Sequence, residues 1–344
     1  GAHRPMTAPS TDPLVPVVET TDAADEQPDL PAPASRTTPT PGHAASSAEA
    51  SAFWDAIDAE LAATPANSES FEIPLYSTAF STTYRYRFTS LGSYRIAAYI
   101  SVPHGEGPFP ALLSVPGYGS VVTPPQYEDR QRYVVMTLMY RGTRGADWPY
   151  AGAFPGMFTD GIADPAAWIY RGILADHLRG LEMLASHPQV DAARIGLHGN
   201  DIALLIAARR PEVSAVAVTG SFFHRLWEVA RSTEAYPFEE INDYLRTYPH
   251  DTDAVQQTLA LVDPGAQAAR IGATTLVSVN DDGATGDAAW WASLTEAIAG
   301  AVDLYLATHE GQTDRDAIDA WLADHLGTDP KPRIWTPEDL GPWS

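Results

Sequence analysis

Cysteine is absent from the 344 residues. That excludes disulfides, thiolate metal sites and cysteine nucleophiles. Lysine is nearly absent too: Lys331 is the single one, and basic charge is otherwise carried by arginine. Acidic residues outnumber basic ones so far that the formal net charge is −23. A protein of that sign is repelled by nucleic acid and by anionic membrane surfaces, so neither is expected as a partner. No apolar run approaches the length of a membrane span. The most apolar stretch near the start, Leu14-Val15-Pro16-Val17-Val18, is short and broken by proline. It cannot serve as a signal-peptide core, so a cytoplasmic location is expected. A glycine-rich phosphate loop is missing as well, since Gly117-Tyr118-Gly119 lacks the rest of any nucleotide fingerprint. No His, Asp or Glu cluster has metal-ligand spacing. The expectation is therefore neither cofactor nor metal.

What is present reads as one globular domain behind a tail. Residues 1–50 carry nine prolines among Thr, Ser, Ala and Asp. Such a segment buries too little apolar surface to offset its ordering entropy, and a disordered tail is predicted. The domain is expected over 51–344, beginning with Phe53, Trp54, Ile57 and Leu61 at helical spacing. Two β-rich stretches follow, 83–89 and 94–102, suited to an antiparallel start of a sheet. Short apolar runs at 111–115, 133–140, 194–198, 215–219, 274–279 and 302–307 then alternate with helical patterns. They read as buried parallel strands. The clearest helix is 165–187, with Asp164 as cap and Tyr170, Leu174, Leu178, Leu181 and Ala185 on one face. Alternation of this kind predicts an α/β fold with a mostly parallel central sheet and helices on both faces. The stretch 222–265, helical at 223–231, 238–248 and 253–261, is too long for a crossover and is expected to form a cap over the carboxyl edge of the sheet.

Functional groups of an open α/β sheet gather at the carboxyl ends of its strands. Three positions stand out there. Asp201 follows the strand at 194–198 and opens a helix at 202–209, Asp282 follows 274–279, and His309 follows 302–307. Their chain order is that of nucleophile, acid and histidine in the α/β-hydrolase fold. The turn His198-Gly199-Asn200-Asp201-Ile202-Ala203 supplies the small flanking residues that a sharp, strained nucleophile elbow requires.

From about residue 52 to 326 the chain resembles the acetyl xylan esterase / cephalosporin C deacetylase family of α/β hydrolases. The resemblance is carried, in order, by Phe53-Trp54; by Tyr94-Arg95-Ile96 through Val102-Pro103; by Pro116-Gly117-Tyr118-Gly119; and by Tyr140-Arg141-Gly142-Thr143-Arg144-Gly145. It continues through Asp164-Pro165 to Tyr170-Arg171 with Asp176, Arg179 and Glu182, then Val190-Asp191 and Arg194-Ile195-Gly196. It ends with Pro237-Phe238 to Tyr244-Leu245 and His309-Glu310-Gly311. It implies an α/β-hydrolase fold and an esterase site. Asp201 would stand in the place of the nucleophile, Asp282 would be the triad acid and His309 the base, with backbone N–H groups of Tyr118 and Ile202 as oxyanion donors. Asp281 competes with Asp282 for the acid. The family's Gly-Gly-Ser-Gln-Gly-Gly becomes Gly199-Asn200-Asp201-Ile202-Ala203-Leu204 here, and its Pro-Pro after the triad acid becomes Gly286-Asp287. The serine is gone.

A carboxylate needs no deprotonation to attack, but it serves poorly in acyl transfer and well against saturated carbon. The expected function is hydrolysis of a small organic substrate, with Asp201 as nucleophile and His309 activating water. Two alternatives stay open: non-hydrolytic acid–base chemistry in a biosynthetic pathway, and a catalytically silent binding protein. Asp201 could also be a plain helix cap, and His309 a surface-loop residue. His198 reads as packing, Asp176 and Arg179 as a structural pair on one helix, and Trp290 and Trp291 as helix packing. A homo-oligomer is compatible with the resemblance.

Overall fold

Ser46 and Glu49 open the first helix with reciprocal bonds. The Ser46 hydroxyl accepts the Glu49 N–H at 3.2 Å, and the Glu49 carboxylate accepts the Ser46 N–H at 2.9 Å. Helix α1 (Ser47–Ala63) then buries Ala50, Trp54, Ile57 and Leu61. Helix α1 thus starts four residues inside the segment read as tail, because a capping box there satisfies its first turn. The computed structural model describes residues 42–119, 121–146, 152–280 and 286–332. The remainder of the predicted tail, 1–41, and both Asp281 and Asp282 lie outside the described residues.

Strands β1 (Glu69–Glu72), β2 (Ser81–Thr89) and β3 (Arg95–Pro103) run antiparallel. They are followed by β4 (Phe109–Ser114), β5 (Val134–Met139), β6 (Val190–Gly199), β7 (Val213–Val218), β8 (Thr274–Val279) and β9 (Val302–Leu306). These join in one sheet of order β1-β2-β3-β5-β4-β6-β7-β8-β9, parallel from β5 to β9. Strand β1 left no trace in the hydrophobic pattern because all four of its residues are exposed. The central strands are apolar on both faces, as burial between two helical layers demands.

Helices α2 (Ile169–Ala185) and α3 (Ile202–Arg209) cover the face on which α1 lies. Helix α8 (Gly311–Leu326) covers the other, through Ile318, Leu322 and Leu326. Helix α2 starts at Ile169, later than expected, and Asp164 caps only a local turn by accepting the Ala166 N–H at 2.9 Å. Asp176 and Arg179 do not pair with each other. Buried Asp176 holds Arg141 through its main-chain N–H (2.9 Å), Nε (2.9 Å) and Nη2 (2.8 Å). Arg179 instead reaches Glu182 and the carbonyls of Leu61 and Thr64. Three residues' separation made the two neighbours, and tertiary partners outbid that proximity.

The insertion forms α4 (Leu226–Ser232), α5 (Glu239–Thr247) and α6 (Thr252–Ala260). Helix α7 (Ala288–Ala297) precedes β9. Helix α5 sits on the loops that follow β4 and β5: Glu240 accepts the Tyr118 hydroxyl and, at 2.8 Å, the Phe158 N–H. The cap therefore rests on the carboxyl edge, as its length suggested.

Candidate functional site

The strand that carries the elbow, β6, lies between β4 and β7 and ends at Gly199 in a conformation (φ +155°) that favours glycine, and a Cβ there would lie 2.5 Å from the Val115 carbonyl oxygen. The chain then zips onto the loop after β7. Thr219 N–H donates to Gly199 O at 2.7 Å, and Asp201 N–H donates to Gly220 O at 3.1 Å. The Asp201 side chain continues this zipper. Its Oδ1 accepts from the N–H groups of Phe222 (2.9 Å) and Phe223 (3.0 Å), and its Oδ2 from Phe223 (2.8 Å) and His224 (2.7 Å). Asp201 is 0% exposed. A carboxylate offers about four lone-pair sites, and four N–H contacts occupy them.

The backbone of Asp201 is relaxed right-handed helix (φ −67°, ψ −3°), so the strain expected of a nucleophile elbow is absent at this residue. Its side chain does not cap α3 either. That helix begins with Ile202 N–H donating to Asn200 Oδ1 at 3.0 Å, so one of the two expected oxyanion donors is already engaged. Burial pushes the Asp201 carboxyl up to about 6, against the pull of the His224, Phe222 and Phe223 N–H groups.

Above the elbow, the space is packed with rings. Phe222 lies 5.1 Å from Phe158, 5.8 Å from Phe238, 5.9 Å from Tyr170 and 6.4 Å from Tyr118, centroid to centroid. Tyr118, whose backbone was expected to serve the oxyanion, is anchored through its hydroxyl to Glu240. Burial disfavours the charged forms of Tyr118 and Glu240 and raises the pKa of both. Tyr140 fastens the same loop, donating its hydroxyl to Gly117 O at 2.8 Å and accepting Gly119 N–H at 3.0 Å.

His309 follows β9 at the same edge of the sheet, in left-handed backbone (φ +61°). Its side chain is exposed and makes no hydrogen bond among the described residues. Strands β7 and β8 separate β9 from β6, a lateral distance of roughly 14 Å at about 4.8 Å per strand. Asp201 and His309 share an edge, and no hydrogen bond joins their side chains among the described residues. His198 lies within β6, and burial lowers its ionisation below the usual imidazole range. The residue is half-buried there.

Sequence reasoning passed over the residues around His224. That imidazole stacks on Trp291 (5.1 Å, 14°), its Nε2 meets Trp290 O at 3.1 Å and its Nδ1 faces Asp263 at 3.5 Å. Arg225, in left-handed backbone (φ +52°), donates its N–H to Asp263 at 2.8 Å and lays its guanidinium 4.0 Å over the Trp290 ring. A cavity of about 480 Å³ opens here, lined among others by His224, Arg225, Trp227, Glu228, Gln256 and Asp263. The His-Arg-x-Trp-Glu run at 224–228 was the only trace of it in the sequence. Trp291 packs as expected, whereas Trp290 also serves as the platform for Arg225. Among the described residues no group of three or more His, Asp or Glu could hold a metal ion, and no helix is long and apolar enough to cross a membrane.

The sequence profile of the acetyl xylan esterase (AXE1) family matches residues 40–288. The chain belongs to the acetyl xylan esterase family. The match includes the elbow and the cap and ends before His309. Solved structures agree on the fold. An acetyl xylan esterase from Paenibacillus sp. R4 superposes with a TM-score of 0.72 at 23% identity, covering 82% of this chain and 96% of that one. Acetyl xylan esterase 1 from Thermoanaerobacterium sp. JW/SL YS485 gives 0.69 at 21%, covering 82% and 95%. The resemblance read from dispersed motifs is thus upheld as to family, and this acetyl xylan esterase-like chain has the α/β-hydrolase fold of that superfamily.

Proposed function

We propose that this chain is a binding member of the acetyl xylan esterase family, in which residue 201 holds the fold together and does not carry ester chemistry. One observation supports the reading above all: both oxygens of Asp201 are taken by backbone N–H groups of the loop after β7. A nucleophile must present a free lone pair to its substrate. Asp201 would have to abandon a buried hydrogen bond first, at about 1–3 kcal/mol for each donor left unsatisfied. The occupant would be a small organic molecule in the cavity beside His224 and Arg225, which has the size of a small-molecule site.

A second reading keeps hydrolysis. Asp201 attacks a saturated carbon, and His309 activates the water that cleaves the covalent ester. Its support is positional: both residues stand at carboxyl ends of parallel strands, in the chain order of the α/β-hydrolase triad. Single-turnover reaction with alkyl and acetyl ester substrates in heavy-oxygen water separates the two. The binding reading expects no turnover and no label at residue 201. Label in the Asp201 carboxylate would overturn it and establish the hydrolytic one. The same assay on Asp201→Ser asks whether a serine alone revives acetyl ester cleavage, and with Ile202 N–H engaged by Asn200 no revival is expected.

A further inference from the structure

The loop after β7 has a property that goes beyond its role as partner to Asp201. Three consecutive backbone N–H groups, those of Phe222, Phe223 and His224, converge on one carboxylate at 2.7–3.0 Å. They precede α4 and do not belong to its first turn. The run is closed by Arg225 in left-handed backbone, itself pinned by Asp263. Successive N–H groups turned inward next to a left-handed residue form a concave anion-binding nest. Its donors are buried: Phe222 is 8% exposed, Phe223 0% and His224 3%. Buried donors must be satisfied, and here the two oxygens of one carboxylate satisfy all three.

We propose that residues 222–224 form a binding site for a small monocarboxylate, and that Asp201 is its built-in occupant. The inference rests on the anchor reading of Asp201 and adds the ligand chemistry of the donors. Asp201 competes intramolecularly with any free carboxylate, and so keeps the elbow closed to one. Its removal opens the site to an anion of matching size. An aspartate is an alanine bearing a carboxylate, so Asp201→Ala leaves a space shaped for formate. Asp201→Gly removes one carbon more and leaves a space shaped for acetate.

The test is thermal denaturation of the full chain and of the two variants, titrated with formate, acetate, acetamide and chloride at constant ionic strength. The expected result is saturable stabilisation of Asp201→Ala by formate and of Asp201→Gly by acetate. Acetamide and chloride should give no saturable shift, and the wild-type chain should be indifferent to all four. A flat response of both variants to both carboxylates, or an equal response of the wild-type chain, overturns the proposal. Should a variant not fold by itself, refolding yield in formate or acetate against chloride is the same readout, and a yield that ignores the carboxylate is again negative. The outcome is separable from the functional reading. Heavy-oxygen label at Asp201 would remove the binding reading while rescue by formate could still uphold the nest, and absence of label says nothing about rescue.

Discussion

Asp201 and His309 stand at the same edge of one sheet and live in opposite surroundings. Asp201 is sealed, its carboxylate divided among three main-chain donors and roofed by Phe222 and Phe223. His309 stands in solvent in left-handed backbone, with no hydrogen bond to its ring among the described residues. In a working triad the nucleophile is held open and the histidine is held by its acid, and here the acid positions Asp281 and Asp282 lie outside the described residues. Position along the chain puts functional groups at an edge. Whether they cooperate depends on where each one spends its hydrogen bonds.

The contrast can be broken most directly at the elbow. Asp201→Ala strips the acceptor from three buried N–H groups, and a loss of roughly 4 kcal/mol is expected by urea denaturation. A loss below about 1 kcal/mol would mean that the loop does not depend on Asp201.

The pH dependence comes next in size. Burial lifts the folded-state ionisation of Asp201 from 3.8 to about 6. The folded chain therefore holds this proton more tightly than the unfolded chain. Its contribution to stability is fully present below about pH 4 and is lost as pH rises through about 6. The displacement corresponds to roughly 3 kcal/mol, at about 1.4 kcal/mol for each pH unit. The stability difference between wild type and Asp201→Asn should shift in favour of wild type as pH falls from 7 to 5. A difference that is flat across that window would refute the burial argument.

A smaller effect sharpens the comparison from the cap side. Tyr118→Phe deletes the hydroxyl that ties the loop after β4 to Glu240 of α5, and a cost of about 1–2 kcal/mol is expected. A double-mutant cycle with Glu240→Gln should return a coupling of at least about 0.5 kcal/mol, and strict additivity would dismiss the contact. The smallest effect lies at the other end of the comparison. His309→Ala should change stability by less than about 0.5 kcal/mol, and on the binding reading it should leave ligand affinity unaltered.

Much of the architecture was legible because it rests on local pattern. β-branched runs bounded by turns located eight of the strands, and the α3 helix at Ile202–Arg209 matched its expected bounds. The unusual length of 222–265 announced a cap. Strand β1 escaped because Glu69–Glu72 has no buried face to create a period. The start of α1 was placed late because its capping box, Ser46 with Glu49, sits within a segment whose composition otherwise reads as tail. The Asp176–Arg179 pairing failed because helical adjacency was weighed and the distant Arg141 was not.

For the site, residue types and chain order located Asp201 and His309 at the carboxyl edge, since a parallel sheet sends the ends of β6 and β9 the same way. They also carried the kinship with acetyl xylan esterases, now supported by the match over 40–288. No local pattern could reveal the destination of the Asp201 carboxylate. Its partners lie about twenty residues downstream and donate main-chain N–H groups, which every residue other than proline possesses. Such bonds leave no mark on side-chain identity. Only the folding of the loop after β7 back over the elbow settled that the aspartate faces inward.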